Sequence, residues 1–379
     1  MDVLKLSSDL MSFKSISPKS AGSLEFIQDL LNKWGFDCHL LEFGESKVKN
    51  LYACFTGGKG PNVCFAGHTD VVPPGDEKEW DSEPFTPLVK DGILYGRGAS
   101  DMKTAIAAFL VSSKKFIDLN KSFNGSISFL LTADEEGDAD YGTKTVVEWL
   151  GKSNKKIDYC LVGEPTNPNI LGEMIKVGRR GSLNGEIIIK GKQGHVAYPE
   201  KCKNPIDDLL LVCSSLNEKL DEGSKTFQPS KLTITSIDVG NKVTNLVPNS
   251  VKLRFNVRFN DNFKSEEVIK LLKNRLDKLE CNYDLQTKVS GESFFNFSEK
   301  LTESIVNAVK TVTKNDPELS TSGGTSDARF ISKICPVIEF GLVGKLMHKV
   351  NEMVAVDDII KLKNIYHEFI KYYFEKKDD

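Results

Sequence analysis

Apolar positions along this chain fall into two rhythms that take turns. Leu24, Ile27, Leu30 and Leu31 recur at helical spacing and predict a helix over about residues 21–34, after a first helix and a loop around residues 15–20. A continuous apolar run, Val63 to Ala66, then predicts a buried strand. Ala105, Ile106, Phe109 and Leu110 return to helical spacing and predict a helix from Lys103 to Phe116. The run "SISFLL" (126–131) reads as a strand, residues 143–150 as a helix and residues 159–162 as another strand. Short apolar runs alternating with amphipathic helices predict an α/β body. Its sheet is open and mostly parallel, with helices on both faces.

From about Gly178 the period drops to two. In "VKLRFNVRFN", Val251, Leu253, Phe255, Val257 and Phe259 share one face, and Lys252, Arg254, Asn256 and Arg258 the other. That alternation predicts a sheet packed on one side only. Helices over about 205–220 and 265–279 complete a strand–helix–strand–strand–helix–strand order, the pattern of a ferredoxin-like α+β unit. From about Phe294 the helical rhythm returns in "SEKLTESIVNAVKTVT", followed by a Gly-rich turn, a strand near 336–340 and a last helix from Asp357. The expected layout is a catalytic domain over 1–178 and 294–379, interrupted by an inserted domain over 179–293.

Composition narrows the class. A chain of 379 residues suits two domains rather than one small core. Its 40% hydrophobic and 27% charged residues fit a soluble globular protein. A net charge of −3 gives no reason to expect nucleic acid or an acidic membrane as partner. No apolar run approaches the ~18 residues of a membrane span, and the N-terminal stretch lacks the layout of a signal peptide, so the expected compartment is the cytoplasm. The eight cysteines are scattered without a Cys-x-x-Cys pair. They read as reduced thiols and argue against a thiolate zinc site. With only five histidines, any metal chemistry must lean on carboxylates.

Those carboxylates sit at telling positions. His68 and Asp70 follow the run at 63–66, Asp134, Glu135 and Glu136 follow "SISFLLTA", and Glu164 follows "YCLVG". Asp101 opens a helix, and His348 lies beyond the last strand. In open α/β sheets ligands bind outside the carboxyl ends of the strands, so these groups are expected on one edge. Clustered carboxylates repel unless a cation lies between them. Imidazole and carboxylate without thiolate suit zinc, and sometimes manganese or cobalt. Two such ions about 3.5–4 Å apart can share a carboxylate and a water. Asp70 is placed to accept the other ring N–H of His68. Taken singly, each fragment also reads as a capped strand end or a solvated turn.

The segments "GHTDVVPPGDEKEWDSEPF", "GRGASDMKTA", "TADEEGD", "GEPT", "GGTSDARF" and "MHKVNE" together resemble the di-zinc amidohydrolases that include acetylornithine deacetylase, aminoacylase and succinyl-diaminopimelate desuccinylase. The likeness spans nearly the whole chain. It implies two zinc ions per subunit, with cobalt or manganese able to replace one. His68 and Glu164 would hold one ion, Glu136 and His348 the other, and Asp101 would bridge them. Glu135 would be the general base and then the general acid, and Asp101–Met102 would be a cis peptide. His195, in "KGKQGHVAYP", would stabilise the oxyanion from across a homodimer interface made by the inserted domain. By itself, His195 also reads as a surface-loop histidine.

Arginine forks bind carboxylates in pairs of hydrogen bonds. Arg179, Ser182, Asn245, Arg258, Gly324 and Thr325 match substrate positions of the desuccinylases, which implies a small, anionic amide substrate. Ser100 in place of alanine and Ala328 in place of glycine depart from that pattern. The expected reaction is hydrolysis of the succinyl amide of N-succinyl-LL-2,6-diaminopimelate, a step toward lysine and meso-diaminopimelate. The alternatives are a related deacylase, a dimeric metallopeptidase and a non-catalytic binding relative.

Overall fold

The computed structural model describes residues 1–375. The chain divides into two compact units, one formed by Met1–Val177, Asn296–Ser320 and the chain from Ser326 onward, the other by Gly178–Phe295 and Thr321–Thr325.

The first unit is built on an eight-stranded sheet. Its spatial order is Asp37–Phe43, Val48–Thr56, Ser126–Thr132, Asn62–His68, Tyr159–Val162, Val337–Glu339, Met174–Lys176 and Glu318–Ser320. The four central strands run parallel, and antiparallel pairings flank them on both sides. The strand Asn62–His68 is buried along its whole length, as a central strand covered on both faces must be. Its odd-numbered residues face the helices Lys103–Leu119 and Val356–Glu375, where the Phe65 ring stacks on Phe109 at 4.4 Å and meets Tyr366 at 5.7 Å. Burying each such ring contributes about 1.5–3 kcal/mol. Its even-numbered residues share the other face with Tyr52 and Ser128. There Asn62 donates to the Tyr52 hydroxyl (3.1 Å) and accepts from Ser128 Oγ (2.8 Å). The Tyr52 ring lies 5.9 Å from Trp149 of the helix Thr143–Lys152. Register pairs His68 with Thr132 and Ala66 with Val162, so the residues that follow these strands emerge at one edge.

The second unit is a four-stranded antiparallel sheet in the order Lys231–Asp238, Ser250–Phe259, Gly181–Lys190, Tyr283–Gly291, with the helices Pro205–Leu216 and Ser265–Asp277 between strands in the chain. This is the ferredoxin-like arrangement. The alternation in "VKLRFNVRFN" is realised: Val251, Leu253, Phe255, Val257 and Phe259 are all buried, in a core with Leu183, Ile187, Val212 and Leu272. Gly185 lies under the Phe255 ring so closely that a Cβ there would meet Cζ at 2.1 Å. Asn204 caps the first helix, its side chain accepting from Ile206 N at 3.2 Å, and Pro205 fills the first turn, where no N–H is needed. Among the described residues, no helix is long and apolar enough to cross a membrane.

Candidate active site

Three strand ends and two loops of the first unit bring the acidic and imidazole groups together. His68 is the last residue of its strand and is 1% exposed. Its Nδ1 lies 2.9 Å from the backbone carbonyl of Asp70. A carbonyl only accepts, so Nδ1 carries the hydrogen and the Nε2 lone pair points outward. Outward is Asp101 Oδ1 at 3.2 Å, with Glu164 Oε1 at 3.9 Å. Two acceptors therefore face each other, an arrangement that requires a proton or a cation between them.

The second carboxylate oxygen of Asp101 faces the other imidazole. His348 Nε2 lies 3.3 Å from Asp101 Oδ2 and 2.9 Å from Glu136 Oε1. Two triads thus share Asp101: His68, Asp101 and Glu164 on one side, and Asp101, Glu136 and His348 on the other. Within each triad the donor atoms all lie within 4.8 Å of one another. All donors are imidazole nitrogen or carboxylate oxygen, the hard-to-borderline set that suits zinc, manganese or cobalt. The residues present therefore fit a pair of divalent cations with Asp101 between them.

The electrostatics are those of a site short of positive charge. Burial alone would lower the His68 pKa, but Asp101, Glu164 and Glu135 outweigh it and hold it well above the ordinary value. Hydrogen bonds to Asp101 and Glu136 raise His348 to about 10. Burial would raise Asp101, yet the two imidazoles hold it well below the usual carboxylate range. Glu135 goes the other way: burial, then repulsion from Glu164, pushes it well above that range. A carboxyl raised in this manner is suited to taking up a proton and passing it on.

Asp70 corrects one expectation. Its carboxylate stands 3.8 Å from His68 Nδ1, and its own carbonyl takes the ring N–H instead. The carboxylate accepts the backbone N–H groups of Glu135 and Glu136, both at 3.1 Å. Past His68 the chain runs on to a bridge between Val71 and Ile16, and on that course the Asp70 carbonyl meets the ring while its side chain meets the Glu135 loop. Asp70 thus orients His68 through its backbone and the Glu135–Glu136 loop through its side chain. Asp101–Met102 is a cis peptide.

A family model described as peptidase family M20/M25/M40 matches residues 64–372, a span that contains all of these groups. The chain belongs to peptidase family M20/M25/M40. A curated relative named succinyl-diaminopimelate desuccinylase, from Ehrlichia canis (strain Jake), is 49% identical over 99% of this chain and 99% of its own length. An M20-family metallo-carboxypeptidase from Sulfolobus solfataricus has the same fold, with a TM-score of 0.81 at 20% identity, covering 98% of this chain and 99% of that one. A dinuclear metal-binding M20 peptidase from Bacillus subtilis superposes with a TM-score of 0.70 at 14% identity, over 98% of each chain.

The remaining expected site residues of this M20 chain lie in its inserted unit, in three small groups. Arg179 is buried and donates to the Ser322 carbonyl at 3.4 Å, beside Gly324 and Thr325. Ser182 and Arg258 are register partners on adjacent strands. His195 and Asn245 lie on an exposed ribbon, where Val196 N donates to the Asn245 carbonyl at 3.1 Å and Ala197 N donates to His195 Nδ1 at 3.1 Å.

Sequence reasoning passed over two residues of the first unit. Arg97 and Glu352 form a buried ion pair at 2.9 Å across 255 residues of chain. The available signal was charge in an apolar, Gly-rich setting, Arg97 in "LYGRGAS" and Glu352 before "MVAV". Ser100, the serine standing where alanine was expected, gives its hydroxyl to Glu352 at 3.0 Å.

Proposed function

We propose that this M20 chain is a zinc-dependent amidohydrolase that cleaves N-succinyl-LL-2,6-diaminopimelate to succinate and LL-2,6-diaminopimelate, in the making of lysine and meso-diaminopimelate. The observation that carries the chemistry is the pair of ligand triads sharing Asp101, with Glu135 alongside. The substrate is supported by the full-length likeness to a desuccinylase. His68, Asp101, Glu164, Glu136 and His348 would hold two zinc ions, which supply Lewis acidity to the amide carbonyl and acidity to the attacking water.

The chain's own residues do the rest. Glu135 takes a proton from the water as its oxygen bonds to the succinyl carbonyl carbon. The C–N bond then breaks, and Glu135 returns the proton to the departing amine. Water is consumed, and one carboxylate and one amine are released. Asp70 holds the base and its neighbour Glu136 through their backbone N–H groups, which fixes the base relative to the reacting carbon. Arg179, Arg258, Ser182, Asn245, Gly324 and Thr325 are assigned to the substrate carboxylates. His195 is assigned the role of hydrogen-bond donor to the oxyanion across a homodimer of inserted units; its exposed ring supports that reading. The enzyme is taken to work in the cytoplasm.

Steady-state rates on N-succinyl-LL-2,6-diaminopimelate, acetylornithine and a panel of dipeptides test the substrate. The first should give the highest kcat/KM, and negligible turnover of it beside good turnover of another would remove the desuccinylase reading. Glu135→Gln should lower kcat by about 10²–10⁴ with both ions still bound. A wild-type rate in that variant would end the role of Glu135 as base.

A further inference from the structure

His68 and Glu164 need little beyond the sheet to stay in place, because each sits at or just past the end of a buried central strand. His348 has no such support. It stands in the irregular segment between the strand Val337–Glu339 and the strand Met353–Ala355, at φ +63, with its side chain 49% exposed. Yet it must meet Asp101, which comes from a different loop.

A buried pair joins those two loops. Arg97 Nη1 donates to the carbonyl of Lys349, the neighbour of His348, at 3.1 Å and to Glu352 at 2.9 Å. The Glu352 carboxylate, in turn, accepts the backbone N–H groups of Gly98 (3.0 Å), Ser100 (2.8 Å) and Asp101 itself (3.2 Å). The other end of the guanidinium donates to the Pro73 carbonyl at 3.3 Å, and the group lies 5.2 Å from the Trp80 ring. Gly98 has φ +84, the left-handed conformation that lets its N–H turn toward Glu352. Both side chains are almost wholly buried, Arg97 at 2% and Glu352 at 0% exposed. Burying an ion pair gains little stability over an apolar pair of the same size. What it does supply here is geometry, because each group has donors or acceptors fixed on separate segments.

We infer that Arg97 and Glu352 are positioning residues for the second cation, the one between Asp101, Glu136 and His348. The inference rests on the two-cation reading above. The pair pins the His348 segment to the Asp101 loop, so that the imidazole and the carboxylate are at ligand distance before the ion arrives. The first cation, at His68 and Glu164, depends on the pair much less.

The experiment is a zinc titration of metal-stripped protein against a chromophoric chelator, which yields two stepwise dissociation constants. His348→Ala identifies which constant belongs to the second place. Glu352→Gln puts an NH₂ among backbone N–H donors, and Arg97→Lys removes the fork that reaches Lys349 and Pro73 together. Arg97→Lys should weaken the second constant tenfold or more and the first by less than threefold. Glu352→Gln, which also loosens Asp101, should weaken both, the second by at least threefold more than the first. Ser100→Ala, which removes one hydroxyl and leaves the amide bonds, should change neither by more than threefold. Wild-type constants in both Glu352→Gln and Arg97→Lys would overturn the inference, as would equal weakening of both ions, the mark of a merely structural pair. If Glu352→Gln does not fold, Arg97→Lys decides alone. A wild-type chain that takes up fewer than two ions would instead overturn the two-cation reading itself.

Discussion

His68 and His348 face the same carboxylate from opposite sides, and little else about them is alike. His68 ends a buried strand, its ring hydrogen fixed by the Asp70 carbonyl. His348 rides on a loop in a left-handed conformation and is half exposed. The same ligand chemistry is thus supported once by the sheet and once by a buried ion pair 255 residues apart in the chain. The lesson is that a two-ion centre can be rigid by two separate means, and each can be broken without the other.

The largest effect should come from removing each imidazole in turn. His68→Ala removes the buried imidazole that faces Asp101 and Glu164, leaving His348 as the imidazole against Asp101, and breaking such a buried pair costs about 3–5 kcal/mol. The metal-stripped variant should melt well below the wild type and lose the first ion. His348→Ala removes a half-exposed ring, whose contacts with Asp101 and Glu136 are partly screened by water. The metal-stripped protein should therefore lose clearly less stability than His68→Ala at neutral pH, a loss that shrinks as pH rises toward 10, and should lose only the second ion. Denaturant unfolding of the stripped proteins checks this, and equal losses would erase the contrast.

A smaller change aims at the sheet side. A Cβ on Gly67 would meet Met102 Cε at 2.3 Å, and Met102 follows Asp101 directly. Gly67→Ala should destabilise by about 1–3 kcal/mol through overpacking and weaken both ions together, because Asp101 serves both. Weakening of the second ion alone would show that the strand does not hold Asp101.

Protonation sharpens the contrast further. The His348 pKa is raised to about 10 by Asp101 and Glu136, against an unfolded value of about 6.5. Between these values the folded, metal-free chain holds a proton that the unfolded chain has released. Stability from this source is therefore complete below about pH 6.5 and falls as pH rises through about 10. A cation must displace the same proton, so affinity for the second ion should rise with pH, by up to about tenfold per unit. Unfolding of metal-free wild type across pH 6.5–10 should show the decline. In His348→Ala this part of it should be absent; an unchanged slope would mean that another group titrates.

Much of this arrangement was legible in the sequence, and the exceptions share a cause. Period-two alternation located the strand Ser250–Phe259, and helical spacing located Lys103–Leu119, because burial acts on neighbours in the chain. The acids and imidazoles after the strands were expected on one edge because topology places strand ends there, wherever the strands fall in sequence. Singling out His68, Asp101, Glu136, Glu164 and His348 as ligands rested on the resemblance to the di-zinc amidohydrolases. The Asp70 carboxylate was misread because the choice between its carbonyl and its side chain is made by the local course of the backbone past the strand, which leaves no pattern in residue type. Arg97 and Glu352 were passed over because each alone looks like an ordinary charge. Lys176, likewise an ordinary charge by its sequence, is buried in the first unit, with Nζ 3.4 Å from Ser320 Oγ. In each case the deciding partner comes from the backbone or from a distant part of the chain.

The smallest effect tests whether the buried pair or the loop's own tether places His348. Asn351, at φ +59, accepts from Asp81 N through Oδ1 at 2.8 Å and donates through Nδ2 to Asp81 Oδ2 at 2.9 Å. These bonds are exposed, so their net worth is about 0.5–1 kcal/mol. Glycine adopts the same backbone conformation without strain, so Asn351→Gly removes the tether and keeps the turn. Part of the lost hydrogen-bond energy should pass to the second ion, weakening it by about two- to fivefold and leaving the first unchanged. Weakening as large as that of Glu352→Gln would mean that the Asp81 tether, rather than the Arg97–Glu352 pair, holds the imidazole over Asp101. No weakening beside a strong effect of Glu352→Gln would assign the placement to the pair alone.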